Sequence, residues 1–326
     1  YSLSEGALPI ARIAELCQSF SMPAVGISDN NNMFGALEFS EQIAKVGVQP
    51  ILGCNIRIKT PKEYLHENIE DNDLYFYLNI FSKSNEGYEN LLKCVSNAYT
   101  LNKGNAYVVI DDLIKFKEGL IILSGGNNSI LKHSTRQIIT KQSKQFVSDF
   151  KREFNDNFYI EIQRLGSVDY RLNEDTVLNL AYDHQIPLVA TNDSYFEGPD
   201  HFEAHDALMC IEKKLFVSQA NRTRLSKEHY FKSQNEMIEL FHDLPESLNN
   251  TIEIAQRCIH RPKIKNPTLP VYDHDQNKET ELMQKLAKDG LDKRLNSKFS
   301  TENINTEQHD EIRKVYEERL LKELKI

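Results

Sequence analysis

Residues 23–35 read PAVGISDNNNMFG. The run Ala24–Ser28, small and β-branched and opened by Pro23, has the make-up of a short buried strand. It stops at Asp29-Asn30-Asn31-Asn32, side chains that hydrogen-bond nearby backbone and favour turns. After Gly35, the apolar residues Leu37, Phe39, Ile43 and Val46 fit a helix, though loosely. Strand, polar strand end and helix make up the repeating unit of an α/β fold. Such folds gather their chemistry at the carboxyl ends of the strands.

The same unit recurs along the chain. Residues 187–193, PLVATND, repeat the opening pattern and end on Asp193. Residues 119–124, GLIILS, form another buried run, closed by Gly125-Gly126. LYFYLNIF at 74–81 carries the densest strand signal. QPILGCNIRIK at 49–59 begins apolar and then alternates, as a strand running into an edge hairpin would. Asn157–Gln163 alternates through FYIEIQ. Helices are predicted at Ile10–Ser19, Leu37–Lys45, Asn85–Tyr99, Thr135–Phe154 and Leu172–His184. Strands alternating with such helices favour parallel βαβ packing, and the recurring strand length favours a closed, irregular barrel over an open sheet.

Beyond Pro199 the character changes to helix and loop. Ser233-x-x-Glu236 is a capping box, and Asp243-x-x-Glu246 with Pro245 between them marks a further helix start. Arg261–Pro270 holds three prolines and reads as a linker. Charged helices follow at Thr280–Arg294 and Glu307–Ile326. In the last of these, Ile312, Val315, Tyr316 and Leu320 form a stripe that calls for a packing partner in sequence beyond the chain.

The 326 residues suffice for a barrel and a smaller second unit. No apolar run approaches the roughly 20 residues that span a bilayer, and no signal segment opens the chain. Cys17, Cys54, Cys94, Cys210 and Cys258 stand singly, which argues for a reducing, cytoplasmic compartment and against disulfides or a zinc knuckle. A net charge of −9 argues against a broad grip on phosphate backbones, though it leaves room for a local basic patch.

Several runs occur in a telling order: YSLSEGA, MPAVGISDNNNMFGALEF, GVQPILG, NEGYENLLKCVSNAY, GLIILSGG, FYIEIQR and IPLVATNDSYF, then AHDALMCI, YFKSQNEMIELF and IEIAQRC. Together they resemble the amino-terminal part of the bacterial replicative DNA polymerase III alpha-subunit family. That part is a polymerase-and-histidinol-phosphatase (PHP) domain leading into the start of the palm. The resemblance is dense over 1–262 and loose over 263–326. It implies an α/β fold, a distorted TIM-like (βα)7 barrel with a helical carboxyl-terminal extension. It also implies domain bounds of 1–262 for the barrel and its trailing helices, 263–270 for the linker, and 271–326 for an incomplete palm start.

In active PHP members the resemblance implies a metal cluster at the strand ends, held mostly by histidines, that makes a hydroxide for phosphoester cleavage. Here the position after Asp29 is Asn30 where histidine is usual, and Asn55 replaces a glutamate. Tyr77 and Tyr195 replace histidines, and Gly126 stands for a cysteine. Glu5, Asp29 and Asp193 are retained, and the family's paired histidines would lie upstream of Tyr1. None of the ten histidines falls at a predicted strand end. A neutral Asn binds transition metals poorly, and Tyr must first lose a proton with a pKa near ~10.

The resemblance therefore implies a replication protein whose vestigial site is Glu5, Asp29, Asn30, Asn55, Tyr77, Gly126, Asp193 and Tyr195, with no metal, no cofactor and no catalysis in this piece. The parent chain would be a Mg-dependent DNA-directed DNA polymerase whose palm aspartates lie beyond Ile326. Its partners would be a proofreading exonuclease subunit on the PHP barrel, with DNA and the sliding clamp bound elsewhere and no membrane. The competing readings are an active Zn- or Mn-dependent PHP phosphoesterase or 3′–5′ exonuclease, and a stand-alone phosphatase, for which YFKSQNEMIELF and IEIAQRC have no use.

Other constellations have plainer explanations. His201-x-x-x-His205 lacks the Glu directly after the first His that a zinc protease needs, so a solvent-facing or capping role is expected. Gly125-Gly126-Asn127-Asn128 lacks the Lys-Ser/Thr ending of a P-loop. Asp111-Asp112 and Asp71-x-Asp73 suit helix caps or solvated turns. Ser28 and Ser124 have no His at a neighbouring strand end.

Overall fold

Pro23 opens β1 (Ala24–Asn30), which lies parallel to β2 (Gln49–Lys59) with α2 (Ala36–Lys45) crossing between them. The computed structural model describes residues 5–65, 74–102, 106–133, 140–166, 168–219, 221–222, 224–264, 266–267, 272, 275–302 and 306–325. Within them β3 (Tyr75–Ser82), β4 (Leu120–Leu123), β5 (Phe158–Ile162) and β6 (Leu188–Ala190) follow in order across one curled sheet. The distorted TIM-like PHP architecture forms, with six strands supplied by the described residues. β3 departs from the parallel βαβ expectation and runs antiparallel to both β2 and β4. The cause is local: β2 is 11 residues long and its far half continues as a hairpin arm alongside β3.

Alternation along the strands splits the apolar residues into two sets. Leu52, Ile56, Leu78, Ile80, Ile122 and Ile160 face outward, against Phe39 and Ile43 of α2, Leu91 of α3 (Asn85–Thr100) and Phe146 and Phe150 of α5 (Lys141–Phe154). Ile51, Ile121, Leu123, Tyr159 and Val189 face inward and meet Ile254 and Cys258 of α9 (Pro245–Arg257) and the residue after it. α9 thus seals the lower interior. The Gln49 amide donates to the carbonyls of Ala255 (2.6 Å) and Cys258 (3.0 Å), and Asn250 donates to Leu188 O at 2.7 Å. Gly53 leaves room inside for the Phe81 ring, which a Cβ there would meet at 2.5 Å.

The remaining helices of the first unit, Tyr1–Ile264, are α1 (Ile10–Ser19), α4 (Ile110–Lys115), α6 (Val168–Asp183), α7 (Phe202–Lys213) and α8 (Gln234–Leu240). Ser84 caps α3, and the predicted box at Ser233 and Glu236 opens α8. α9 starts without the expected Asp243 cap: its N-cap is Leu244, and Asp243 instead pairs with Arg164 at 2.6 Å. Asp111 and Asp112 lie in the first turn of α4, where carboxylates meet the free N–H groups. The cysteines at 17, 54, 94, 210 and 258 are buried and free. In the second unit, Lys265–Ile326, α10 (Gln276–Glu302) packs on α11 (Thr306–Glu323) through stacked Phe299 and His309. Ile312 and Leu320 of the predicted stripe are half-buried there, while Val315 and Tyr316 stay exposed. Asp71, Asp73 and the predicted helix start at Thr135 lie outside the described residues, as do residues 265 and 268–270 of the predicted linker.

Candidate functional site

Above the apolar floor, side chains from alternate strands meet in a polar layer, the stacking that a curled sheet imposes. Ser28 on β1 donates to Asn79 Oδ1 on β3 at 2.9 Å, and Asn79 donates to both oxygens of Glu161 on β5 at 3.0 Å. Glu161, 5% exposed, also accepts from Thr191 Oγ1 (2.5 Å), Gln163 (3.2 Å) and the Gly125 backbone N–H (3.1 Å). Burial pushes its pKa up, against the pull of these donors. Gly125 adopts φ +91°, and a Cβ there would fall 1.8 Å from Tyr77 O. Only glycine lets the N–H reach Glu161.

One layer higher, at the mouth, Asn30 and Asn55 face each other in the β1–β2 ladder. Asn55 Nδ2 donates to Asn30 Oδ1 at 2.8 Å, and Asn30 in turn donates to a Glu5 carboxylate oxygen. Glu5 is also held by its backbone carbonyl, 2.5 Å from His205 Nε2, a contact that requires the proton on that nitrogen. Two residues on, Ala7 N–H donates to Tyr195 O at 2.8 Å. The segment 5–7 therefore ties the carboxyl end of β1 to the stretch after β6, across a seam where no β6–β1 ladder occurs among the described residues.

Asp193 and Tyr195 share a hydrogen bond at that stretch. Burial, with Glu161 and Glu5 nearby, pushes Asp193 up to about 7, and the Tyr195 hydroxyl opposes the shift. Tyr195 itself is raised by burial and by Asp193, and its ring lies 5.7 Å from that of His205 and 5.9 Å from that of His229. Tyr77 is raised by burial, with Arg57 opposing and Glu5 adding. Gly126 backs onto the Gln163 side chain. Asp29 does not join this group: it is one residue before Asn30, so alternation turns it to the outer face, at the level of Cys54.

Thus Glu5, Asn30 and Asn55 are linked directly, and Asp193, Tyr195 and Tyr77 feel one another or Glu5 electrostatically. Glu161, Asn79 and Thr191 were missed, although Glu161 and Asn79 are lone polar residues inside otherwise apolar runs and Thr191 opens the polar end of PLVATND. Of the solvent-facing or capping roles expected for it, His205 does not take the solvent-facing one: it is 2% exposed and holds the Glu5 carbonyl. Among the described residues, no three His, Cys, Asp or Glu side chains converge in a way that could hold a metal ion.

The deciding comparison is with family models: the PHP domain model matches residues 1–165. The chain belongs to the PHP domain family. Among curated relatives, the DNA polymerase III subunit alpha of Caulobacter vibrioides is 38% identical over 302 residues, 90% of this chain and 26% of the relative. That of Rickettsia felis is 35% identical across the whole chain and 26% of the relative, and that of Haemophilus influenzae 31% identical across the whole chain and 27% of the relative. The chain spans about a quarter of the length of these relatives. Among solved structures, an amidohydrolase from Chromobacterium violaceum with bound sulfate and no metal aligns at TM-score 0.39 and 10% identity, over 64% of this chain and 94% of that one. A putative metal-dependent phosphoesterase from Bifidobacterium adolescentis aligns at 0.37 and 12%, over 73% and 93%. Among the described residues, no helix is long and apolar enough to cross a membrane.

Proposed function

We propose that this chain is a non-catalytic PHP module of a replicative DNA polymerase, working in the cytoplasm as a scaffold on which a proofreading exonuclease subunit docks. The replicative setting is supported by likeness over the full chain to DNA polymerase III alpha subunits. The parent chain would supply Mg-dependent polymerisation and the contacts to DNA and the sliding clamp from segments beyond Ile326.

One observation carries the non-catalytic reading: the Asn55–Asn30–Glu5 chain of hydrogen bonds at the mouth. Two neutral amides occupy the positions where donors to a cluster would converge, and Asn30 engages one oxygen of the Glu5 carboxylate while its own oxygen is taken by Asn55. The donor set does not fit a zinc or manganese cluster, since amide oxygens are weak ligands and both tyrosines are held protonated.

The test has two arms. In the first, the chain is incubated with Mn2+ and a chromogenic phosphodiester, and no hydrolysis above buffer is expected; turnover abolished by Asp193→Ala would overturn the reading. In the second, the cognate proofreading exonuclease is passed over immobilised chain, and retention is expected. Its failure to bind would remove the docking role.

A further inference from the structure

Past the mouth, β2 runs on to Lys59, flanked by β3 on one side and by residues 107–108 on the other. Arg57 lies opposite Tyr77 and Lys59 opposite Tyr75. Ile58 bridges Val108, with Lys59 N–H donating to Val108 O and Val108 N–H to Arg57 O, both at 2.9 Å. Alternation then places Arg57, Lys59, Tyr75, Tyr77 and Tyr107 on one face, the face that Asn55 presents to the mouth. Lys59 is exposed and the other four are half-buried, so all are open to solvent.

The arrangement at this lip is specific. The Arg57 guanidinium carbon lies 3.8 Å from the Tyr75 ring centroid, and Lys59 Nζ lies 5.4 Å from that of Tyr107. The Tyr75 and Tyr107 rings are themselves 5.5 Å apart. In a chain with 48 acidic and 39 basic residues, arginines find carboxylates readily. Arg12, Arg152, Arg164, Arg222 and Arg257 all do so. Arg57 pairs with no carboxylate among the described residues, and its buried Nε has no acceptor. A guanidinium lying on an aromatic ring keeps its in-plane N–H groups directed outward, the fork that matches phosphate oxygens. Adjacent tyrosine faces are the surface on which a nucleic-acid base stacks.

We propose that this lip binds a nucleotide phosphate, with Arg57 and Lys59 holding the phosphate and Tyr75 and Tyr107 stacking on the base. The source is either a free nucleotide or the end of a single strand, and both offer the same chemistry. The site goes beyond the scaffold reading and stands whether or not an exonuclease docks.

Binding to the whole chain is measured at low salt by calorimetry with thymidine monophosphate, inorganic phosphate and a short 5′-phosphorylated oligothymidylate. Binding of the nucleotide or the oligomer is expected. Arg57→Gln should weaken it about tenfold or more, the worth of a charge-assisted hydrogen bond. Tyr75→Leu should weaken it as well, and so should Lys59→Gln, whose exposed side chain can change without unfolding the chain. Lys213→Gln, an exposed cation elsewhere on the unit, should leave it unchanged. Equal affinity for monophosphate and oligomer assigns free nucleotide, and tighter oligomer binding assigns strand ends. The proposal is overturned if neither probe binds, if Arg57→Gln and Lys59→Gln bind as the parent chain does, or if inorganic phosphate binds as tightly as the nucleotide.

Discussion

Asn30 and Asn55, opposite each other in a parallel ladder, are joined side chain to side chain at 2.8 Å, and Asn30 hands its own amide to Glu5. A carboxamide can accept and donate at once, and Asn30 does both here, its oxygen taken by Asn55 and its N–H by Glu5. The pair converts a strand end into a clasp for the segment at 5–7. That clasp spans the seam that the strand ladders leave open.

Asn30→Ala should cut both bonds of the clasp and leave Asn55 and Glu5 short of partners. A loss of about 1–3 kcal/mol is expected in urea unfolding. Hydrogen exchange at the Ala7 amide, bonded to Tyr195 O, should quicken in the same variant.

Asp193 gives a pH signature. Its carboxyl titrates near 7 in the folded chain, against 3.8 for an ordinary aspartate. The folded state therefore holds the proton more tightly than the unfolded one. Stability falls as pH rises from about 4 to about 7, and the penalty is complete above that. Asp193→Asn keeps the acceptor for Tyr195 and removes the charge. The variant should be more stable than the parent by about 2–4 kcal/mol at pH 8, with the advantage gone near pH 4.

His229 acts in the opposite sense. Burial lowers it to about 4 from 6.5, with Ser226 N–H and Oγ at its Nδ1. Here the unfolded chain binds the proton more tightly, so stability is lost as pH falls from about 6.5 to about 4. His229→Gln should flatten that arm of the pH profile, as read by thermal unfolding across the window.

Ile254 closes the barrel floor from α9 against Ile51, Tyr159 and Val189. Ile254→Ala should cost about 2–4 kcal/mol through the cavity it leaves. Gly125→Ala should cost about 3 kcal/mol or more, since it combines a left-handed φ with a backbone clash and withdraws a donor from Glu161. Both are checked by denaturant unfolding.

The strands were legible because proline, branched apolar residues and polar stops coincide at their ends, as in 23–32 and 187–193. Direction was legible only at 49–59, whose alternating tail announced the hairpin that β2 forms with β3; elsewhere alternation is the same whichever way a strand runs, so the antiparallel β3–β4 pairing was not. The mouth residues Asn30 and Asp193 were legible as polar strand ends, whereas Asn55, inside the run 49–59, was singled out only by the family resemblance. Glu161 was hidden because FYIEIQ reads as ordinary half-buried alternation, and its inward side is decided by pairing with β6. Asp29 sits beside Asn30 in sequence but on the other face, a difference that spacing within a family motif does not reveal. The burial of His205 was not legible because its partner, the Glu5 carbonyl, is 200 residues away.

The most direct test is metal binding at the mouth itself. Zn2+ and Mn2+ are titrated calorimetrically into the whole chain, its Glu5→Ala and Asp193→Ala variants, and an Asn30→His/Asn55→Glu double variant. The amide clasp predicts no tight binding to the parent chain and no change in the two alanine variants, with measurable affinity appearing only where histidine and glutamate are restored. Tight, stoichiometric binding to the parent chain that disappears in Glu5→Ala and Asp193→Ala would contradict it.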